Sequence, residues 1–69
     1  MTQQDMILQF MQDTGSITPL DALREFGCMR LGARIYDLKK RGHEIRRVME
    51  SRENRYGKSV SFARYFLEG

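Results

Sequence analysis

A chain of 69 residues has room for one domain with one small core. With 41% hydrophobic and 30% charged residues it has the composition of an ordinary folded domain, which argues against disorder. No run approaches the roughly 18 apolar residues of a membrane span, and no basic-then-apolar start marks a secretory signal. The single cysteine cannot form an intramolecular disulfide, which fits a reducing, cytoplasmic setting.

The net charge of +3 is unevenly distributed along the chain. Residues 1–27 carry four acidic side chains and one basic side chain, whereas residues 28–69 carry eleven basic and five acidic ones. A one-sided positive field attracts polyanions to that side of a protein. Nucleic acid is therefore the leading partner that the charge pattern predicts.

The first predicted helix covers about residues 2–13. Thr2 can cap it, and Asp5, three residues later, completes a capping box. Gly15 is the expected stop. The helical period separates a core-facing set (Met6, Ile7, Phe10 and Met11, with Leu8 on its edge) from a water-facing set (Gln3, Gln4, Gln9 and Gln12).

The second predicted helix covers about residues 18–26. It follows Ser16-Ile17, a short link that we interpret as a very short strand with Ile17 directed inward. Thr18 is a good N-cap, Pro19 suits the first helical position, and Asp21 occupies the third. We expect its inward face to consist of Leu20, Leu23 and Phe26, with Ala22 small enough for close contact between helices.

The third predicted helix covers about residues 29–41 and follows a turn that contains Gly27. Leu31, Ile35 and Leu38 form one apolar stripe at helical period. Cations suit the C-terminal end of a helix, and Gly42 can end it in a left-handed conformation. The side farthest from the stripe carries Met29, Arg30, Ala33, Tyr36, Asp37 and Lys40. A helix with one apolar face and one basic, locally small face can lie on a core and enter a DNA groove.

Beyond His43 the sequence is rich in β-branched and aromatic residues, which predicts strands at about 44–51 and 58–67 joined by a polar loop. In the second strand we expect Ala63, Tyr65 and Leu67 to cover the helices. Phe62 and Phe66 would then be partly exposed, either wrapping the first helix or forming a partner surface. Three helices followed by a hairpin make an α+β fold in the winged helix-turn-helix order.

Three segments carry a resemblance to a known family: Ile17 to Gly27, Arg30 to Gly42, and the hairpin with its Tyr56-Gly57 loop. Together they resemble the small winged helix-turn-helix domains of phage and prophage proteins, over roughly residues 3–67. The resemblance implies one DNA-binding domain spanning residues 1–69 that regulates phage or host genes. The shared motifs are specific for the fold.

The candidate DNA-binding residues of the third helix are Arg30, Ala33, Arg34, Tyr36 and Lys40. Arg30 could pair with a guanine edge or remain a solvated arginine, and the small Ala33 would let the backbone approach DNA. Arg34 could bind phosphate, pair with a nearby carboxylate or lie along the core. Tyr36 and Lys40 could reach phosphate, or the tyrosine could pack on the hairpin.

A second group of candidates lies at the hairpin tip: Arg52, Asn54, Arg55 and Lys58. A basic loop of this kind can follow a phosphate backbone or enter the minor groove, and otherwise it is simply solvated. Thr18 completes the set, because the N-terminal amides of its helix could hold a phosphate.

Neither metal binding nor catalysis is expected. Cys28 and His43 are too few and too widely spaced for a zinc site, and no base or oriented third group accompanies the thiol. No glycine-rich phosphate loop is present. The sequence therefore predicts a non-enzymatic protein with no cofactor.

The sequence supports two classes of function. The first is sequence-selective binding of double-stranded DNA by a phage-type transcriptional regulator or an excision-type architectural factor, with a homodimer or a neighbouring protein supplying affinity. The alternative is a protein–protein module built on the same fold. A continuous basic surface favours DNA, whereas interruption by Asp37, Glu50 and Glu53 favours a protein partner.

Overall fold

A computed structural model describes residues 2–68, so the two ends of the predicted domain, Met1 and Gly69, lie outside it. It confirms the α+β fold of three helices followed by a hairpin. The elements in chain order are α1 (Gln3–Thr14), β1 (Ser16–Ile17), α2 (Pro19–Phe26), α3 (Leu31–Lys40), β2 (Glu44–Glu53) and β3 (Ser59–Glu68).

Two capping boxes fix the starts of α1 and α2. The Thr2 hydroxyl accepts the Asp5 N–H at 3.2 Å, and the Thr18 hydroxyl accepts the Asp21 N–H at 3.1 Å. In each box the aspartate returns the interaction by accepting the threonine N–H. Two donors that a helix start leaves unpaired are thereby satisfied at both sites.

The start of α3 differs from the prediction, because the helix begins at Leu31 and not at Met29. The backbone N–H of Cys28 bonds to the Ala22 carbonyl, and the Cys28 side chain is buried. The chain is therefore still anchored to α2 at this point, and it needs two residues to reach α3. Arg30 is the N-cap residue, with φ −127° and ψ 55°, and its side chain makes no capping hydrogen bond.

The sheet has the order β1-β3-β2, with both pairings antiparallel. β1 pairs with β3 through two residues only, Ser16 opposite Phe66 and Ile17 opposite Tyr65. β2 pairs with β3 along all ten of its residues, from Glu44 opposite Glu68 to Glu53 opposite Ser59. Each strand of the hairpin extends past the end predicted for it.

The core lies between the helices and one face of the hairpin. The stripe of α3 is buried as predicted, and so are Ile7 and Met11 of α1. Tyr65 and Leu67 pack against this core, on the face expected to cover the helices. The buried hydrophobic set is Ile7, Met11, Ile17, Ala22, Cys28, Leu31, Ile35, Leu38 and Ile45.

The prediction for the inward face of α2 was wrong in two of its three residues. Leu20 is 55% exposed and Leu23 is 48% exposed, whereas Ala22 is fully buried. Phe26 does pack inward, with its ring edge-on to Phe10 at a centroid distance of 5.8 Å. The small alanine lets α2 approach its neighbours closely, which turns the two leucines outward.

Two of the four glutamines of α1 are also placed differently from the prediction. Gln3 Nε2 lies 3.5 Å from the Phe26 carbonyl oxygen, and Gln4 Nε2 lies 3.3 Å from a carboxylate oxygen of Asp37. Both side chains are half-buried. They connect α1 to α2 and α3. The prediction that both glutamines face water was therefore wrong, because a polar side chain at the edge of a helix can contact a neighbouring element.

Candidate nucleic-acid interface

The outer face of α3 presents Ala33, Tyr36 and Lys40 at helical spacing. Tyr36 is 61% exposed, and Lys40 Nζ lies 5.3 Å from the centroid of its ring. An ammonium group over an aromatic face is attracted to it while remaining accessible to an anion. This face therefore combines one small residue, one hydroxyl and one cation.

A shallow cleft separates α3 from the inner face of the hairpin. Gly32, Tyr36 and Lys39 line it from the helix, and Arg47 and Tyr65 line it from the sheet. Lys39 and Arg47 were not among the predicted site residues. The signal that could have found Arg47 is the hairpin register, because Arg47 lies opposite Tyr65 and shares its face.

The hairpin tip is held by the side chain of Asn54. Its Oδ1 accepts the backbone N–H of Tyr56 at 2.9 Å and that of Lys58 at 3.1 Å. Such bonds fix a turn in the manner of an Asx-turn. Asn54 thus organises the loop, and Arg55 and Lys58 are exposed on it.

Arg30 and Arg52 lie apart from the cleft. Arg30 is exposed. The sequence predicts it in the first turn of α3, but in the structure it precedes the helix. Arg52 extends over the opposite face of the hairpin, with its guanidinium carbon 6.0 Å from the ring centroid of Phe62. The corresponding pair on the same face joins Arg46 to Phe66 at 5.3 Å. Each of the two partly exposed phenylalanines therefore lies beneath an arginine.

Arg34 and Thr18 are engaged within the protein. Arg34 is half-buried, with Nη2 3.7 Å from Asp37 Oδ2, and its buried Nε has no hydrogen-bond partner within residues 2–68. Thr18 is 6% exposed and its hydroxyl serves the cap of α2. Because the carboxylate of Asp21 already occupies this helix start, a phosphate there would meet a like charge.

The comparison with protein families matches residues 2–69 to the model described as "Winged helix-turn-helix domain". The chain belongs to this family. No curated protein and no solved structure matches the sequence. A winged helix-turn-helix domain is typically a DNA-binding, non-enzymatic domain. In this family's nomenclature, α2 and α3 form the helix-turn-helix, and β2, β3 and the loop between them form the wing.

The ion pairs of this winged helix domain divide its cations into two groups. Within residues 2–68, four arginines pair with carboxylates: Arg34, Arg41, Arg46 and Arg64. The cations of the outer face of α3, of the cleft and of the wing loop are exposed and take part in none of these pairs: Lys39, Lys40, Arg47, Arg55 and Lys58. Three further exposed cations that lie outside these places take part in none of them either: Arg24, Arg30 and Arg52. Of the carboxylates that could interrupt them, Asp37 accepts from Gln4, Glu50 is paired with Arg64, and Glu53 remains beside the wing loop.

A separate groove of about 620 Å³ runs between α2 and β3. Its apolar lining includes the two exposed leucines of α2 together with Met29, Val60 and Phe62. Its charged lining consists of Arg24, Arg52, Arg64 and Asp21. Within the described part of the chain no cluster of three potential metal ligands is found. No helix there is both long and apolar enough to cross a membrane.

Proposed function

We propose that this domain binds duplex DNA as a phage- or prophage-type regulator or an excision-type architectural factor, in the cytoplasm of a bacterial or phage-infected cell. The observation that carries the proposal is the group of cations left without carboxylate partners on α3, in the cleft and on the wing loop. Neutralising phosphates with such side chains releases counterions and supplies sequence-independent affinity.

In this proposal α3 enters the major groove with its outer face toward the bases. Ala33 offers little obstruction, and Tyr36 and Lys40 lie where a hydroxyl and an ammonium can meet the groove edge or the backbone. Arg30, at the N-terminal end of α3, is the candidate for a bidentate contact to guanine. Arg34 contributes by holding Asp37 on the side of α1, away from the DNA.

The wing contacts the neighbouring backbone or minor groove. Arg55 and Lys58 are carried there by the loop that Asn54 fixes, so they are presented with less conformational freedom than a mobile loop would allow. Arg47 extends the basic surface from the wing into the cleft beside Lys39. Arg52 lies on the other face of the wing and would meet DNA only along its edge.

The test is fluorescence anisotropy of random 20-base-pair duplex DNA across a salt series. We expect affinity to fall steeply with salt, and Lys58→Ala or Arg47→Ala each to reduce the magnitude of the log–log slope by about 0.9. Arg24→Ala is the matched control, because it removes an exposed cation of α2 outside this surface and should leave the slope unchanged. Binding that is absent at low salt, or slopes equally reduced by all three variants, would contradict the proposal.

Sequence selectivity is tested separately by operator selection followed by Arg30→Ala. Loss of a bidentate guanine contact costs on the order of 1–3 kcal/mol at one base position and leaves binding to random DNA nearly intact. An equal loss on every sequence would instead assign Arg30 to phosphate.

A second candidate function is favoured by the groove between α2 and β3. Its exposed leucines and Val60, together with three lining arginines against one aspartate, fit an acidic segment of another protein that carries apolar side chains. An amphipathic acidic peptide should then shift the methyl NMR signals of Leu23 and Val60, and Leu23→Gln should abolish the shift at Val60. No change at these methyls would remove this candidate.

A further inference from the structure

One long strand edge of the domain is uncovered. β2 pairs with β3 on one side, and within residues 2–68 no strand pairs with its other side over Glu44–Glu53. Ten residues make a long edge, which can accept another strand unless its side chains oppose the pairing. The side chains of β2 therefore decide which strand fits.

The hydrogen bond at the end of the hairpin shows which residues of β2 bond to β3 and which face the open edge. The Asn54 N–H donates to the Lys58 carbonyl at 2.8 Å, and these residues continue the register of Glu53 opposite Ser59. In an antiparallel ladder, bonded and non-bonded pairs alternate along the strand. The even-numbered residues of β2 therefore bond to β3, and the odd-numbered residues direct their N–H and C=O groups to the open edge.

The even-numbered side chains of β2 are self-complementary in charge: Glu44, Arg46, Val48, Glu50 and Arg52. A second copy pairing antiparallel about a two-fold axis at Val48 places Glu44 opposite Arg52 and Arg46 opposite Glu50, twice each. This register also pairs odd-numbered residues with odd-numbered ones, as the open backbone groups require.

Two neighbouring registers also satisfy the open backbone groups, but each places like charges opposite each other. An axis at Met49 places Arg46 opposite Arg52, and an axis at Arg47 places Glu44 opposite Glu50. Like charges directly opposite each other destabilise strand pairing. Among these three centres, only Val48 agrees with both the backbone and the side chains.

Ion pairs within each copy would extend this complementarity. Arg46 already lies 2.8 Å from Glu68, and Glu50 lies 2.9 Å from Arg64. Across the two-fold axis, Arg46 of one copy meets Glu50 of the other. The result is an alternating row of four charges that crosses the interface, and the symmetry produces it twice.

We propose that two copies of this chain associate through antiparallel pairing of β2 with β2, centred on Val48, which forms one continuous six-stranded sheet. A two-fold axis of this pairing is perpendicular to the sheet, so both copies place α3 on the same side of it. The association does not depend on the proposed DNA binding, and its test contains no DNA, so either proposal can fail alone.

The test is sedimentation equilibrium of the whole chain from micromolar to millimolar concentration. We expect a reversible shift from the 8.1 kDa monomer to a species of twice that mass. Glu44→Lys and Arg52→Glu should each weaken association about tenfold or more, because each places like charges opposite each other twice. An equimolar mixture of the two variants should recover association, since the mixed pair has Lys opposite Glu and Arg opposite Glu. Glu25→Lys, a charge change on α2, is the matched control and should associate like the unmodified chain.

A backbone variant tests the edge itself. Met49→Pro removes an N–H that points to the open edge, so it should abolish association while the circular dichroism spectrum stays that of the folded monomer. A chain that stays monomeric throughout, a mixture that associates no better than its components, or a Met49→Pro variant that unfolds or still associates would overturn the proposal.

Discussion

At the scale of single residues, Asp5 shows how one carboxylate serves two purposes. It accepts the Thr2 hydroxyl at 2.9 Å and the Thr2 N–H at 3.3 Å, which closes the capping box of α1. It also lies 3.2 Å from Arg41 at the end of α3. The Thr2 hydroxyl first, then the Thr2 N–H and the Arg41 guanidinium, lower the pKa of Asp5 from its ordinary value.

This shift predicts a stability that depends on pH. Because the pKa of Asp5 is lower in the folded protein, its contribution is complete above the unfolded value of about 3.9 and is lost as the pH falls through the folded value. Asp5→Asn should therefore have a lower Tm than the unmodified chain at pH 7, and the difference should shrink below about pH 4. Glu25→Gln controls for the loss of one negative charge, since the Glu25 side chain makes no ion pair or hydrogen bond within residues 2–68. A difference that stays constant down to pH 2 would contradict this assignment.

Sequence reasoning identified some candidate site residues more readily than others. Lys40 and Tyr36 follow from the helical period of α3, because three buried residues define the opposite face. Arg47 does not follow, since its face depends on the register of β2 against β3, which places it opposite Tyr65. The position of Arg30 before the helix does not follow either, because periodicity does not show where a helix begins when no capping side chain marks the start.

At the scale of elements, α2 is where the sequence was least informative. A helix of eight residues has little more than two turns, so two apolar arcs fit its pattern almost equally well. The larger side chains suggested one arc, and the buried Ala22 belongs to the other. Close contact between elements favours the small residue, so the contact predicted at Ala22 sets the inward side of the helix and the two leucines do not.

The observed orientation of α2 predicts that Leu23→Gln is nearly neutral for folding. Leu23 is 48% exposed, so its replacement should change the free energy of unfolding by less than about 1 kcal/mol in urea denaturation. Leu38→Ala is the comparison, because Leu38 is fully buried and its truncation should cost about 2–5 kcal/mol. A loss at Leu23 as large as the loss at Leu38 would mean that α2 packs with the leucines inward.

At the scale of the whole molecule, ion pairing neutralises some of the cations and leaves others unpaired. Carboxylates from α1, from α3 and from the hairpin neutralise Arg34, Arg41, Arg46 and Arg64. The remaining cations of α3, the cleft and the wing loop repel one another in the free protein. This repulsion lowers the stability of the free fold. A bound polyanion would remove this repulsion, so DNA binding and stability should be linked.

The linkage gives a prediction for thermal unfolding. At a duplex concentration of about 100 times Kd, mass action adds about 2.7 kcal/mol to the free energy of unfolding. In a domain of this size each kcal/mol raises Tm by about 4–8 °C, so a random duplex at low salt should raise it by roughly 10 °C or more. Calorimetry of the free and DNA-bound chain measures the rise. The rise should fall toward zero in about 0.5 M salt, because counterion release no longer favours the complex. The double variant Arg47→Ala, Lys58→Ala should have a Tm equal to or slightly above that of the unmodified chain without DNA, because two mutually repelling cations are removed, and a much smaller rise with DNA. An undiminished rise in this variant would place the DNA on another face of the molecule.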